Sequence, residues 1–427
     1  MLAFDWQMKQ LGFTGNQAQI ILSVEGSISA SELNDRIQSL KTVYPILTSV
    51  IKRSLLHWIP CWAFDNGRNH SSPPVKRHFS EDEDEITRIK RDILNRRLAI
   101  EQGELFRFDL IYSGKSSVEV IMSWSHMLMD VHGAEYFLAM IGRTVAVESG
   151  SGQRELMAGG YTGLIPSGSK WRQAQKSFQR VDKLAEKPPV SMFTKVRYSP
   201  APRFDYQVIS FTPGQTADIL AQAEKCSGFM NETAYFNAAA LGQFHRLMQS
   251  KNISAPGYVV PVSIDLRKKG TRLPVFSNQS ASLLYGFEPE DLQEFDRILT
   301  AFSKQTQEAV RDDMINSDIS LMEFCRIFPS GFYARKIRQA FKGEIASLVL
   351  ANPGKTFDQL EFFMGQPVRY QHHVPTIVVP PGMGIVFYTC MKQLFITLVY
   401  VEELITPDEA RGFLDAVGHH LMSGRLI

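Results

Sequence analysis

The sequence predicts an α/β protein built from mixed α+β sheets in two domains, and three observations carry that prediction. Stretches of alternating apolar and polar residues, the period of a half-buried strand, are interleaved with stretches repeating apolar residues every three or four positions, the period of an amphipathic helix. Both halves of the chain mix the two patterns in a similar way, and no shorter period signals a repeat array. A length of 427 residues exceeds an average single domain and suggests two. With 44% hydrophobic and 21% charged residues the composition is that of a soluble globular chain. A net charge of +2 supplies neither the basic field that would favour nucleic acid nor a marked acidic one.

In chain order, Gln19 to Glu25 reads as a strand, and Ser29 with Glu32 forms a capping-box pattern opening a helix with Leu33, Ile37, Leu40 and Val43 on one face. Pro45 ends that helix, and Thr48 to Ile51 is a second strand. The acidic run Glu81 to Glu85 follows Ser80 and precedes an amphipathic stretch reaching about Leu98, which places it at a helix N-terminus. Phe106 to Tyr112, the turn Ser113 to Lys115 and the alternating run from Val118 to Trp124 form a hairpin. From about Gly150 to Pro202 Gly, Ser, Pro and Lys are frequent and periodicity is poor, which suggests an interdomain crossover. The expected division is an N-terminal lobe of 1–175, a linker of 176–202 and a C-terminal lobe of 203–427.

In the second half Tyr206 to Phe211 is strand-like, Thr212-Pro213 starts a helix running to about Cys226, and Ala234 to Met248 is a further helix in which His245 reads as structural. Tyr258 to Val262 reads as a buried strand, Glu290 to Asp312 as a helix, and Gly331 to Gly343 as a short basic helix with Arg335, Lys336, Arg338 and Lys342. Ala346 to Leu350, Ile377 to Val379, Ile385 to Thr389 and Leu394 to Val401 read as strands, the last two as a hairpin, and Thr406-Pro407-Asp408-Glu409 caps a terminal helix.

The four cysteines are scattered without a CxxC pair, which fits a reduced intracellular protein lacking a structural zinc. Met1 to Trp6 carries charge and an indole where a secretory signal needs a basic patch and an apolar run. No stretch reaches the roughly eighteen apolar residues that span a bilayer. A cytoplasmic location and a monomer are expected.

Groups able to do chemistry concentrate in Ser125-His126-Met127-Leu128-Met129-Asp130-Val131-His132-Gly133. The alternating strand ends at His126, and Gly133 onward reads as the first turns of an apolar helix, so a short loop holds His126 and Asp130. An imidazole titrating near neutrality suits general base catalysis. Asp130 has two possible roles, either holding the ring by a hydrogen bond or pairing with a distant cation that fixes the loop. A metal held by His126, Asp130 and His132 is disfavoured because the spacing is no established zinc pattern. GxSxG, Walker and GxGxxG motifs are absent, against a serine hydrolase, a kinase or a dinucleotide enzyme.

Ser125 to Val131 resembles the HHxxxDG signature of the superfamily containing nonribosomal peptide condensation domains, chloramphenicol acetyltransferase, the BAHD acyltransferases and the mycobacterial polyketide-associated acyltransferases. Ser125 stands for the first His and Val131 for the Gly, while the second His and the Asp are His126 and Asp130. The likeness continues through Leu94 to Leu110 with Gly103-Glu104-Leu105-Phe106-Arg107 at its centre, and through Pro261 to Arg267, which resembles PVxxR. It extends to Ser277-Asn278, similar to the GN signature, and to Ala351-Asn352-Pro353-Gly354, similar to SNxG. The BAHD DFGWG motif is missing, and the early position of His126 fits condensation-domain-like enzymes better than chloramphenicol acetyltransferase.

The resemblance implies two chloramphenicol-acetyltransferase-like lobes in a V with a tunnel between them, His126 as the base, and Arg267 paired with Asp130 across the interface. It implies a thioester donor, acyl-CoA or an acyl carrier protein, held by its pantetheine arm, with no permanently bound cofactor and no metal. The acceptor would be a hydroxyl or amine of a small molecule or lipid. Backbone N–H groups near Gly133, together with Ser125, Ser277 and Asn278, are the expected oxyanion or substrate contacts. His372-His373 would lie near the channel by family analogy, whereas a His pair in a polar loop reads as surface. Met122, Met127, Met129 and Met140 shape an adaptable acyl pocket or simply fill the core. A stand-alone acyltransferase is the expected activity. Its rivals are a free-standing condensation enzyme forming an amide or ester, and a degenerate binding module suggested by Ser125 and Val131.

Overall fold

Alternation along one strand divides the core of the first sheet. The computed structural model describes residues 1–53, 60–64, 75–114, 116–143, 168–195, 202–228, 231–268, 271, 273–356 and 360–424. Helix α1 (Leu2–Gln10) leads into β1 (Gln17–Glu25), whose Ile20, Leu22 and Val24 face one apolar cluster while Ile21 faces another. Helix α2 (Ala30–Val43) buries Leu33, Ile37 and Leu40; Ser29 accepts from the Glu32 N–H, but the Glu32 carboxylate pairs with Arg36, so the reciprocal half of the expected capping box is not made. A 3₁₀ turn over Pro45–Thr48 delays the next strand, β2 (Val50–Arg53), which pairs with β3 (Pro60–Ala63). Edge strand β4 (Val75–Phe79) precedes α3 (Glu83–Leu94), capped by Asp82, and β5 (Phe106–Tyr112) and β6 (Ser117–Ser125) form the expected hairpin. Lys115 of the turn lies outside the described residues. Helix α4 (Val131–Gly142) follows β6.

Three helices were not legible in the pattern. Helix α1 and the helix over Met314–Cys325 are two, and α5 (Gly168–Ala185) is the third, falling where poor periodicity suggested a crossover; the buried stripe of α5 consists of the small residues Ala174 and Ser177, which leave little hydrophobic signature. Strand β7 (Phe204–Ser210) precedes α6 (Pro213–Ser227), where Thr212 and Gln215 complete a capping box. Then come α7 (Glu232–Ser250), β8 (Tyr258–Asp265), β9 (Ser280–Phe287), α8 (Phe295–Arg311), α9 (Met314–Cys325) and α10 (Ser330–Ala340). The strand expected at Ala346–Leu350 is displaced to β10 (Val349–Lys355). Short β11 (Phe362–Phe363) and β12 (Gln366–Val374) were not anticipated. Ile377 and Val379 are buried but the stretch forms no strand, since Pro380 and Pro381 behind it offer no N–H to a ladder. Hairpin β13 (Met383–Cys390) and β14 (Gln393–Val401) and the capped α11 (Pro407–Ser423) are as expected.

The strands make two six-stranded sheets, in the orders β11-β12-β1-β6-β5-β4 and β7-β14-β13-β10-β8-β9. Sheet membership does not follow boundaries at 175 and 203, because β12 lies antiparallel to β1 with His373 opposite Ile20. The second half of the chain thus completes the first sheet. One face of that sheet packs its Ile20, Met122 and Phe108 against α2 and α4, and the other shares a continuous core with α3 and the second sheet. No helix among the described residues is long and apolar enough to cross a membrane.

Candidate active site

Strand β6 runs out of partners at the motif. Ser125, buried, still donates its N–H to Leu105 O at 2.8 Å, and the His126 N–H reaches Asn16 O at 2.9 Å. The chain then turns, with Leu128 N donating to Ser125 O at 2.9 Å, Met127 N to Ser125 Oγ at 3.3 Å, and the Trp124 indole to Met129 O at 3.0 Å. Met127, Leu128 and Met129 fall inside the core; His126 is the half-buried residue of the turn.

Asp130 ends the turn and caps α4, accepting from Gly133 N at 2.9 Å. Its carboxylate also accepts Arg267 Nη1 at 2.8 Å, Arg267 Nη2 at 2.9 Å and the Gln279 N–H at 2.7 Å. The Asp130 and Arg267 side chains are 5% and 2% exposed, so this is a desolvated, bidentate pair with further donors satisfying the acid. Of the two roles open to Asp130, the geometry selects the second: it clasps the motif turn to the segment 267–279, which follows β8 in the second half of the chain. Pro274 O accepts a further bond from Arg267 at 3.1 Å, and Asn278 Nδ2 donates to His126 O at 2.7 Å.

Gly133 is required by this docking. A Cβ at that position would stand 2.3 Å from Val275 O and 3.0 Å from Met129 Cβ. Gly133→Ala is therefore expected to push the 273–279 segment off α4 and to cost about 1–3 kcal/mol, read as a lower urea midpoint at unchanged slope. Stability equal to the parent would show that the close approach is unnecessary.

The His126 ring carries Nδ1 buried without a hydrogen-bond partner. Burial lowers its pKa, opposed by the Asp130 charge and by Asn278, so the neutral imidazole is favoured at neutral pH. Of the other expected contacts, the Gly133 N–H is committed to Asp130, Ser277 O accepts the Asp130 N–H at 3.4 Å, and Ser277 Oγ accepts Gln279 Nε2 at 3.0 Å. Val131, in place of the motif glycine, is the first residue of α4 and is half-buried.

His126 lines neither of two cavities that lie beside α1. The smaller, lined in part by Asp5, Asn16, Gln17 and Ser125, stops beside the strand end, and the larger lies between α1 and α10. Asn16, whose carbonyl accepts the His126 N–H, donates its own N–H to Asp5 Oδ1 at 3.0 Å and so links the motif turn to α1.

A second ionic group was missed. Buried Glu135 lies between His132, with Nδ1 at 3.4 Å, and His373 of β12, with Nε2 at 3.3 Å; His132 Nε2 in turn is 3.8 Å from Asp265. Burial alone would raise the Glu135 pKa, but the two imidazoles outweigh it and hold the acid down at about 2. His372 and His373 are thus strand residues, His373 being 3% exposed, and not a surface loop. Their alternation within β12 was the available signal, hidden by the polar residues around it. His245 is structural as read, with Nδ1 2.8 Å from the Tyr258 hydroxyl.

No protein-family model matches this sequence, and no curated protein does. Solved structures do. The trichothecene 15-O-acetyltransferase from Fusarium sporotrichioides superposes with a TM-score of 0.70 at 11% identity, over 100% of this chain and 94% of that one. The first condensation domain of the calcium-dependent antibiotic synthetase, in complex with a substrate analogue, gives 0.68 at 13% identity, over 99% and 94%. The fold of this chain is the one these acetyltransferase and condensation-domain structures share. The starter condensation domain of rhizomide synthetase, solved with C8-CoA and Leu-SNAC, shares this condensation-domain fold at a TM-score of 0.64, 12% identity and coverage of 99% and 92%. In the condensation-domain fold of this chain, the turn that ends β6 and the segment that follows β8 meet at the Asp130–Arg267 pair.

Proposed function

We propose that this protein transfers an acyl group from a thioester to a hydroxyl or amine, without a covalent enzyme intermediate. The donor is acyl-CoA or an acyl group on a carrier protein, and the acceptor is a small molecule or a lipid. His126 takes the proton of the attacking hydroxyl or amine as the new C–O or C–N bond forms. As the tetrahedral intermediate collapses and the C–S bond breaks, the imidazolium returns that proton to the departing thiolate. Asp130 and Arg267 hold the turn that carries the ring, while Ser125, Ser277 and Asn278 are the polar groups nearest to the oxyanion in this reading.

One observation carries the proposal: a half-buried, neutral-leaning imidazole with a partnerless Nδ1, on a turn locked by a desolvated ion pair. A binding module has no physical need for such a base. Incubation with a panel of acyl-CoA and acyl-carrier donors, with thioester loss read by mass spectrometry, tests it. Where turnover is found, the lowered His126 pKa sets its sign with pH. The active form is the unprotonated ring, so kcat/KM, which reports the free enzyme, should stay level as pH falls through 6.5, the ordinary histidine value, and drop only below it. An acid limb centred above 6.5 would assign the base elsewhere.

A further inference from the structure

We infer that the α9–α10 corner, with Trp6 of α1, is a docking surface for an anionic lipid membrane. From Phe324 to Gly343 the sequence holds five basic residues, Arg326, Arg335, Lys336, Arg338 and Lys342, and no acidic one. Within the same stretch Ile327 and Phe328 at the tip and Phe332 on the helix stand 39–47% exposed. Phe332 is followed three and four positions on by Arg335 and Lys336, and Lys336 three positions on by Gln339; all four, and Phe328 just ahead of the helix, are exposed, so apolar rings and cations share one face. Lys336 Nζ lies 5.7 Å from the Phe332 ring centroid, and the Phe328 and Phe332 centroids are 5.5 Å apart. The Trp6 indole lies against Gly331, where an added Cβ would meet it at 2.9 Å, which extends the patch across to α1.

A solvated helix face accounts for the cations alone. It does not account for large apolar side chains standing in water among them, which is the composition of a helix lying in a bilayer interface. Rings enter the acyl boundary, the indole takes the headgroup level, and the cations meet lipid phosphates. A cavity of about 460 Å³ opens beside the patch, lined in part by Trp6, Gln10, Arg335, Arg338 and Lys342, with room and charge for a phosphate headgroup. A second copy of this chain is a poor occupant, since it would set five cations against five. The patch uses no residue assigned to acyl transfer, and its test is independent of the acyl-transfer reading.

Sedimentation of the full chain with phosphatidylserine–phosphatidylcholine vesicles, against pure phosphatidylcholine vesicles, decides the matter. Pelleting is expected with the anionic vesicles alone, falling as salt rises. Phe328→Asp/Phe332→Asp and Arg335→Glu/Lys336→Glu should each weaken it at least about tenfold, since one cation near an anionic surface is worth about fivefold. Melting curves should match the parent, because these side chains are exposed. Failure to pellet, equal pelleting with neutral vesicles, or indifference to either variant would overturn the proposal. So would tight binding of an acidic carrier protein that depends on Arg335 and Lys336 but not on Phe328 and Phe332.

Discussion

His126→Ala is expected to lower kcat for acyl transfer by about 10²- to 10⁴-fold, the usual worth of a positioned general base. The turn should survive the change. Its main-chain bonds, His126 N–H to Asn16 O and Asn278 to His126 O, are kept by alanine, and so are the Asp130 clasp and the Trp124 bond to Met129 O. The variant should therefore melt with the parent while losing turnover, which separates a chemical role from a structural one. Turnover retained within a few-fold of the parent would leave the ring without a catalytic part and return the binding-module reading.

Arg267→Ala has the opposite signature, a large loss of stability. Its guanidinium supplies two of the four hydrogen bonds to a carboxylate that is 5% exposed on its side chain. Removing it leaves a buried charge with two backbone donors, and breaking such a pair from one side costs about 3–5 kcal/mol. Because the pair joins the motif turn to the segment after β8, activity should fall together with the urea midpoint. Replacing both partners, as Asp130→Asn with Arg267→Met, removes both charges while leaving an acceptor for the Gly133 N–H. The double variant should recover at least half of the lost stability. An Arg267→Ala protein as stable as its parent would mean that the clasp contributes nothing to folding.

What was legible in the chain has a common character. Strands β1, β5, β6 and β14 alternate or run apolar over seven to nine residues, and the caps at Ser29, Thr212 and Thr406 are written in adjacent residues. The Asp130–Arg267 contact was legible through resemblance alone, since 137 positions separate the partners and no local pattern links them. Helix α5 hid behind a stripe of Ala and Ser, and β12 behind its polar residues.

By itself the sequence determined the periods, the caps and the placing of His126 at the end of a strand, because each depends on residues a few positions apart. Tertiary structure alone decided that 366–374 completes the first sheet, that Gln279 shares the acid of Asp130, that Val275 presses on Gly133, and that His373 closes on buried Glu135. Each of these is a contact between segments distant along the chain. Its energy exists only once desolvation and packing have brought the segments together, and so no stretch of residues records it.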